Sequence, residues 1–245
     1  MPLYERTAWV LGEDGVKRLQ KAHVLLFGVG GVGSYAAEAL ARAGVGALTL
    51  VDDDTVSRTN LNRQLIALHS TVGQPKVQVA ARRIADINPE CRVTPVQMFY
   101  TPETAEQLPF AGFDYVIDAV DTVSAKLEIL QRARQAGVPV ISCMGTGGKL
   151  HPELLRLSTL EKTEGCPLAR VMRRECRARG LKNVQVVWSP EPASPPRAQA
   201  EAPAGQEGRT GKPKKTVPGS VSFVPGAAGL ILAGRVIRQI AGLEE

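Results

Sequence analysis

The chain has 245 residues, enough for one large domain with a sizeable core, and its 44% hydrophobic and 22% charged content indicates a folded protein. Its four cysteines include no C-x-x-C pair, which argues against a secreted disulfide framework and against a structural zinc site. The N-terminus lacks the apolar run of a signal peptide, and no long uncharged apolar stretch predicts a spanning helix. We therefore expect a reduced, cytoplasmic protein with no membrane partner.

The net charge of +6 is unevenly distributed along the chain. Residues 1–169 carry 17 Lys and Arg against 18 Asp and Glu, whereas residues 170–245 carry 13 against 6. A local positive field of this kind attracts polyanions, nucleic acid among them. Charge alone leaves two readings open, a nucleic-acid surface and an ordinary solvated one.

Short apolar runs alternate with helical periodicities over the first 150 residues. The predicted strands are 23–28, 47–52, 93–100, 114–120 and 139–144, and the predicted helices are 31–43, 76–88 and 124–136. Apolar strands that alternate with helices predict an α/β fold, a Rossmann-like and mostly parallel sheet with helices on both faces.

The pattern changes after residue 150. Further strands are predicted at 154–160 and 184–188, around a basic helix at 168–179, so we expect a C-terminal extension with antiparallel strands. Residues 189–219 contain seven prolines and predict a flexible insertion. A short strand at 220–224 and an apolar helix at 226–241 are expected to complete the core or a subunit interface.

A glycine loop at residues 28–33 lies between a predicted strand and a predicted helix, which is the context that G-x-G-x-x-G requires. Gly28, Gly30, Gly31 and Gly33 allow the backbone to approach a phosphate, and the helix N-terminus offers free N–H groups. Asp52 ends the next strand, where a ribose-binding carboxylate is found in such folds. Both NAD and ATP contain a ribose, so these residues alone do not choose between them.

Several polar residues beyond Asp52 favour a triphosphate. Arg63 and Lys76 are predicted phosphate donors, and Asn60 and Gln64 are polar residues in a region that offers few other reasons for them. Asp121 follows the fourth strand, at a position suited to a Mg²⁺ ligand. Cleavage of a triphosphate needs fixed cations and a metal. This pattern supplies two cations and a carboxylate ligand for the metal. Asp118 is expected to accept structural hydrogen bonds instead.

Four motifs resemble the ubiquitin-activating-enzyme-like adenylating superfamily, which includes the molybdopterin- and thiamine-pathway adenylyltransferases. They are G-x-G-G-V-G-S at 28–34, D-x-D-x-V-x-x-x-N-x-x-R-Q at 52–64, G-Q-P-K at 73–76 and D-A-V-D at 118–121. The resemblance implies an adenylating core at 1–150 that uses ATP and Mg²⁺.

The same resemblance implies a role for each matching residue. Asp52 binds ribose, Asn60, Arg63 and Lys76 contact phosphates, Asp54 joins the nucleotide-binding set, and Asp121 binds Mg²⁺. An N-terminal arginine, here Arg6, reaches the ATP of a partner subunit, which implies a homodimer. Arg63, Lys76, Asp121 and Arg6 are then the catalytic residues.

Further segments are similar to one branch of this superfamily, the tRNA threonylcarbamoyladenosine dehydratases. They include 5–7, 37–42, 87–93, 115–119 and, more weakly, 223–225, so the likeness spans most of the chain outside the proline-rich insertion. The sequence departs from the branch pattern at 151–153 and at Cys166, where the family usually has D-P-T and Asp. The resemblance implies ATP-dependent dehydration of the threonylcarbamoyl group on tRNA adenosine next to the anticodon, through an acyl-adenylate.

The partners follow from this resemblance and from the charge distribution. Residues 151–188 become a basic substrate-binding extension, and its tRNA-binding residues are predicted to be Arg170, Arg173, Arg174, Arg177, Arg179 and Lys182. A cysteine desulfurase or sulfur-acceptor system is a further possible partner. Cys91 and Cys143 are expected to be buried, whereas Cys166 and Cys176 could each be exposed.

Two other functions stay open at this stage. One is adenylation of the C-terminus of a ubiquitin-like or sulfur-carrier protein, although the zinc cysteines common in such activators are absent. The other is an NAD-dependent oxidoreductase or a non-catalytic nucleotide-binding module, against which Arg63, Lys76 and Asp121 argue.

Overall fold

A computed structural model describes residues 2–195 and 218–243. The chain forms a seven-stranded sheet in the order β3-β2-β1-β4-β5-β7-β6. The strands are β1 His23–Phe27, β2 Ala47–Val51, β3 Arg92–Val96, β4 Tyr115–Asp118, β5 Val140–Cys143, β6 Arg156–Thr159 and β7 Gln185–Trp188. All neighbours are parallel except β6 and β7. The predicted Rossmann-like sheet and its antiparallel C-terminal extension are therefore confirmed.

Helices cover both faces of this sheet. They are α1 Glu5–Leu11, α2 Glu13–Lys21, α3 Gly33–Ala43, α4 Lys76–Ile87, α5 Val123–Ala136, α6 Pro167–Ala178 and α7 Phe223–Ala241. The chain builds β2 and β3 on one side of β1 and then crosses to β4 and β5 on the other. This reversal makes a topological switch point between β1 and β4, and parallel sheets bind ligands at the carboxyl ends of the strands there.

Some element boundaries differ from the sequence prediction. The helix after the glycine loop begins at Gly33 rather than at residue 31, and the third strand ends at Val96. The strand predicted at 220–224 is wrong, because α7 begins at Phe223. Pro225 falls in the first turn of α7, where a missing backbone N–H costs nothing. The two N-terminal helices, α1 and α2, were not predicted.

The core lies on both faces of β1, because successive strand side chains point to opposite sides. Val24 and Leu26 pack in a cluster with α3 and α7, whereas Leu25 and Phe27 pack with α5. Among the described helices, α7 alone is long and apolar enough to cross a membrane. One of its stripes is buried inside the protein, namely Val224, Ala228, Leu232 and Val236. The packing is that of a core helix.

The flexible insertion predicted at 189–219 lies largely outside the described residues. Its described ends meet at a single residue in the loop that follows β5. The Gly148 N–H donates to the Gly219 carbonyl at 2.7 Å, and the Ser194 N–H donates to the Gly148 carbonyl at 2.7 Å. The chain therefore leaves and rejoins the described fold at one point.

Candidate active site

The glycine loop connects β1 to α3 at the switch point of the sheet. Gly28 has φ +85°, and a Cβ there would lie 2.7 Å from the Ala119 carbonyl oxygen, so glycine is required. A Cβ on Gly33 would overlap the Gly28 carbonyl. Gly30 differs, because the nearest atom to its Cβ position is Gln64 Nε2 at 3.7 Å. Internal packing thus explains Gly28 and Gly33, and it leaves Gly30 where a ligand can approach the backbone.

Asp52 fastens the loop to β2, and Lys76 lies beside it. One Asp52 carboxylate oxygen accepts the Val29 N–H at 2.7 Å, and the other accepts the Asp54 N–H at 2.9 Å. The buried Lys76 ammonium lies 2.8 Å from Asp54 Oδ2 and 3.9 Å from Asp52 Oδ1. A buried charge must be paired, and these two carboxylates hold the ammonium beside the loop. The structure thus brings Asp52, Asp54 and Lys76 together.

Arg63 and Gln64 approach the glycine loop from the segment between β2 and α4. Arg63 Cγ lies 3.6 Å from the Cβ position of Gly31, and its guanidinium donates to the Thr59 carbonyl at 2.8 Å. Burial lowers the pKa of Arg63, which still stays ionised at neutral pH because the ordinary value is so high. Gln64 is buried, and its Oε1 has no hydrogen-bond partner within the described residues. A buried acceptor costs free energy when it is unpaired, so this amide fits a ligand that lies over the loop.

The side chains of Asn60 and Asp121 make their hydrogen bonds outside this cluster. Asn60 Oδ1 accepts the Ser57 N–H at 3.1 Å and so caps the 3₁₀ turn 58–60. Asp121 is exposed beyond the end of β4, and the Thr122 hydroxyl donates to it at 3.4 Å. An exposed carboxylate at a strand end is a suitable ligand for Mg²⁺, and Asp121 stays a predicted one.

Asp52 and the two residues after it form an acidic group beside the loop. Carboxylate oxygens of Asp52, Asp53 and Asp54 lie within 4.8 Å of one another. The Lys76 ammonium contacts two of these three side chains. Part of their negative charge is therefore balanced within the protein.

A buried ion pair supports the loop from the β4 side. The side chains of Asp118 and Lys126 are fully buried, with 2.9 Å between Oδ2 and Nζ. Lys126 also donates to Ser142 Oγ at 3.1 Å and to the Cys143 carbonyl at 2.7 Å, so all three ammonium protons are used. Asp118 immediately precedes Ala119, whose carbonyl touches the Gly28 position. The pair thus fixes the strand end against which the glycine loop packs.

The expectation that Asp118 accepts structural hydrogen bonds is confirmed, but its partner Lys126 was missed. A signal for it exists in the sequence. Lys126 shares a helical stripe with Ile129, Leu130 and Ala133, all of which are buried in α5. A lysine within an apolar stripe indicates a buried cation, which requires a buried acid nearby.

Arg6 lies far from the glycine loop of its own chain. It is exposed on α1, a helix with no buried residue. Tyr4, two residues earlier, packs against Gly44 at the C-terminal end of α3, with 2.9 Å between Tyr4 Cε1 and the Gly44 Cβ position. The glycine loop is at the other end of α3, about 16 Å away along an 11-residue helix. A single chain therefore does not bring Arg6 to its own site.

The loop after β5 forms the side of the site opposite Asp52. Buried Lys149 donates to the Ser189 carbonyl at 2.8 Å and to the Glu191 carbonyl at 2.9 Å, and burial lowers its pKa. The Glu191 carboxylate accepts the N–H groups of Leu150 and His151. These bonds join the end of β5 to the end of β7. Sequence reasoning missed Lys149 and Glu191, because neither belongs to a motif.

The basic helix α6 begins beside this loop and presents most of its cations to solvent. Arg170, Arg174, Arg177, Arg179 and Lys182 are exposed. Arg173 is half-buried, and it donates to the Thr163 carbonyl at 2.6 Å. Arg174 and Arg179 both pair with Glu175. Binding of tRNA by these residues stays a prediction, and Arg173 already has a structural contact.

All four cysteines are buried. Cys166 and Cys176, which the sequence left as candidates for exposure, lie within the cluster under α6. Burial raises the pKa of Cys143 to about 12 and those of Cys91 and Cys176 to about 11. A buried thiol with a raised pKa is a poor nucleophile, which weighs against a sulfur-relay role.

Known proteins resemble this chain in sequence and in fold. The ThiF family model matches residues 4–245. The tRNA threonylcarbamoyladenosine dehydratase of Bacillus subtilis is 44% identical over 97% of this chain and 94% of its own length. The crystal structure of the E. coli tRNA N6-threonylcarbamoyladenosine dehydratase in complex with ATP has a TM-score of 0.86 and 34% identity, and the match covers 98% of this chain and 94% of that one. The same E. coli protein in complex with AMP has a TM-score of 0.85 and 35% identity over 97% and 93% of the two chains.

Proposed function

This chain belongs to the ThiF family, and we propose that it uses ATP to cyclise the threonylcarbamoyl group on tRNA adenosine next to the anticodon. The observation that carries this proposal is the cluster at the glycine loop. Gln64 Nε2 lies 3.7 Å from the Cβ position of Gly30, and Arg63 Cγ lies 3.6 Å from that of Gly31. Lys76 lies beside Asp52, which accepts the Val29 N–H of the loop. This arrangement suits a triphosphate rather than a dinucleotide, because two cations lie close to the loop. The Bacillus subtilis and E. coli relatives carry the same activity in their names.

The chemistry is activation of a carboxylate that is itself a poor electrophile. A carboxylate oxygen of the threonylcarbamoyl group attacks the α-phosphorus of ATP, and the bond to the β-phosphate oxygen breaks to release pyrophosphate. A nitrogen of the same side chain then attacks the activated carbonyl carbon and loses its proton, and AMP departs with one former carboxylate oxygen. The substrate has lost one water overall. Ring closure within one side chain has a high effective molarity, so no covalent enzyme intermediate is needed.

The residues of the site divide this work. Asp52 is placed to bind the ribose, and the glycine loop to approach the phosphates with its N–H groups. Arg63 and Lys76 stabilise the negative charge that develops on the leaving pyrophosphate. Mg²⁺, held by Asp121, would supply further charge stabilisation there. The residues fit that ion, since Asp121 is an exposed carboxylate at the β4 end with one weak hydroxyl contact.

The chain is organised around this reaction. Residues 1–150 form the ATP-binding core, and 151–188 the basic extension that contacts tRNA through the exposed cations of α6. Residues 220–245 complete the core through α7. Since tRNA and ATP are its substrates in this proposal, the protein acts in the cytoplasm.

The working unit is a homodimer in which Arg6 acts on the partner's ATP. Arg6 lies about a helix length from its own glycine loop. Leu3, just before α1, is 58% exposed, and Trp9 and Val10 on α1 are 71% and 78% exposed. A large exposed apolar patch marks an interface. Two inactive variants, Arg6→Ala and Lys76→Met, should regain part of the activity when their subunits are mixed and exchanged. Continued inactivity in a verified heterodimer would exclude action across the interface.

The function is tested by mass analysis of tRNA nucleosides after incubation with ATP and Mg²⁺. We expect the threonylcarbamoyladenosine to lose one water in parallel with pyrophosphate release, and Lys76→Met to slow both by about 10²–10³. Lys17→Met, an exposed lysine on α2, serves as the matched control and should retain activity. Pyrophosphate release that depends on a sulfur-carrier protein and not on tRNA would overturn the proposal in favour of carrier adenylation.

A further inference from the structure

The edge of the sheet opposite the candidate active site contains a groove that the proposed reaction does not use. It consists of two adjoining hollows of about 400 and 590 Å³, which share Tyr115, Pro139 and Gln239 as lining residues. Tyr115, Val140 and Gln185 begin β4, β5 and β7, so the groove crosses the amino ends of these strands. We call it the amino-edge groove.

Five cations line the amino-edge groove among mostly apolar and neutral residues. They come from four separate elements and are Arg18, Lys21, Arg134, Lys182 and Arg235. The acidic lining residue is Asp114, whose carboxylate already accepts the His23 N–H at 2.7 Å. Cations from unconnected parts of the chain converge here with little negative charge to balance them, and such a concentration attracts a polyanion.

The basic helix connects this groove to the reaction edge of the sheet. Cys166, the residue before α6, lies with its Sγ 3.7 Å from the Cβ position of Gly145, just beyond the end of β5. The other end of α6 is near the groove, because Gly180 accepts a hydrogen bond from Arg134 at 2.6 Å and Leu181 lines the larger hollow. The helix has 12 residues and spans about 18 Å.

The exposed arginines of α6 lie along one line between these two edges. Arg170, Arg174 and Arg177 follow the i, i+4, i+7 spacing and so share a helical face. Arg179 and Lys182 follow after the end of α6, and Lys182 lines the groove. Arg174 and Arg179 also pair with Glu175. A polyanion that extends from the reaction edge to the groove therefore passes cations on α6.

We propose that the amino-edge groove is a second contact surface for the RNA substrate, which binds the sugar–phosphate backbone of a part of the tRNA remote from the reacting adenosine. This inference rests on the proposed function. The groove contacts phosphates rather than bases, since its aromatic lining residue, Tyr115, is 1% exposed and offers no ring face for stacking. Contacts to phosphates fix the position of an RNA without reading its sequence.

Charge reversal at two exposed lysines of the groove tests this surface. Lys21 and Lys182 form no hydrogen bond or ion pair with any described residue, so Lys21→Glu and Lys182→Glu should fold like the parent protein. The control is Arg92→Glu, which makes the same charge change on the edge strand β3, outside the groove. Binding of full-length tRNA is measured by fluorescence anisotropy over a range of salt concentrations, together with ATP binding without RNA.

We expect each groove variant to weaken tRNA binding by about fivefold or more and to reduce the slope of log Kd against log salt by about one, the size of one lost phosphate contact. ATP binding should not change, and Arg92→Glu should bind tRNA almost as the parent does. Groove variants that bind tRNA no more weakly than Arg92→Glu would overturn the inference. That result is distinct from failure of the proposed function, in which the parent protein binds tRNA but removes no water from its nucleoside.

Discussion

The two edges of the central sheet handle charge in opposite ways. At the carboxyl edge two lysines are buried and paired, Lys76 with Asp52 and Asp54 and Lys126 with Asp118. At the amino edge, Lys21 and Lys182 are exposed cations that face a wide groove. Paired and buried groups keep a fixed geometry, which suits the positioning of one small ligand. Exposed cations suit a long, flexible polyanion whose contacts are additive and sensitive to salt.

The largest loss of stability is expected when a buried charge at the carboxyl edge is left unpaired. Lys126→Met leaves the Asp118 carboxylate buried without its cation, and removal of one partner of a buried pair costs about 3–5 kcal/mol. Denaturant unfolding measures the loss. Lys182→Met, at the exposed edge, is the matched control and should change stability little. If both variants unfold alike, the paired network does not distinguish the edges.

A double variant tests whether the Asp118–Lys126 pair also serves ATP binding. Asp118→Asn combined with Lys126→Met removes both charges and should recover part of the lost stability. If the double variant recovers stability but binds ATP weakly, the ion pair is needed to position the strand end at Ala119 against the glycine loop. Full recovery of ATP binding along with stability would instead limit the pair to a structural role.

Loss of the Lys76 ammonium is expected to act on catalysis as well as on stability, because Asp52 loses the cation beside it. Lys76→Met should lower kcat/KM by about 10²–10³, the size of effect found when one preorganised group that stabilises transition-state charge is removed. Steady-state pyrophosphate release gives the rate, and circular dichroism gives the fold. A fall of less than tenfold would show that Lys76 serves the carboxylates more than the nucleotide.

Two glycines at the carboxyl edge should respond differently to the same change. Gly30→Ala introduces a Cβ with 3.7 Å of clearance, so stability should stay within about 0.5 kcal/mol while ATP binding weakens. Gly33→Ala forces an overlap with the Gly28 carbonyl and should impair folding. Thermal melts with and without ATP separate the two effects. Normal ATP affinity in Gly30→Ala would mean that no ligand approaches the backbone there.

Within α6, one arginine belongs with the paired groups and another with the exposed ones. Arg173→Ala removes hydrogen bonds to Thr163 and should destabilise the protein by about 1.5–3 kcal/mol, as for bonds from a charged donor. Arg174→Ala should leave stability nearly unchanged and reduce the salt dependence of tRNA binding by about one unit of slope. Denaturation and salt titration of both variants test this assignment, which the reverse pattern would contradict.

The smallest expected effect is a pH dependence at the amino edge. His23 begins β1 at the amino edge, and burial lowers its pKa. Its Nε2 lies 2.9 Å from the Thr49 hydroxyl. The folded protein therefore binds a proton at His23 less readily than the unfolded chain does. The stability that neutral His23 contributes is fully present above pH 6.5, the ordinary histidine pKa, and declines as the pH falls through that value. Unfolding free energies of the parent protein and of His23→Gln at pH 7.5 and 5.5 measure it. An equal decline in both would assign the effect to other groups.

Local motifs predicted most of the carboxyl edge. The glycine loop, Asp52 and Lys76 are readable from sequence because each depends on a short pattern next to a strand end or a helix start. The Lys126 and Lys149 contacts were not readable in this way, since Lys149 bonds to residues about 40 positions away and Lys126 to the ends of two separate strands.

The amino edge escaped sequence reasoning for a related reason. In the sequence Arg173 cannot be told apart from the exposed arginines of α6. Its side chain is half-buried because the preceding loop brings the Thr163 carbonyl to it. The groove cations come from α2, α5, α7 and the loop after α6, so charge counting detected only the excess in the C-terminal third. The α1 and α2 helices are short, and their apolar positions did not form a long periodic pattern.

The meeting of Ser194 and Gly219 at Gly148 has a consequence for how this scaffold tolerates change. When both ends of a segment are held at one residue, the distance between them does not depend on the number of residues in between, and closure entropy grows only slowly with that number. A shorter segment or an inserted peptide tag between Ser194 and Gly219 should therefore leave β7 and α7 in their positions. Such a graft would sit on the rim of the reaction edge, next to the end of β5, where a reporter dye could sense the arrival of RNA.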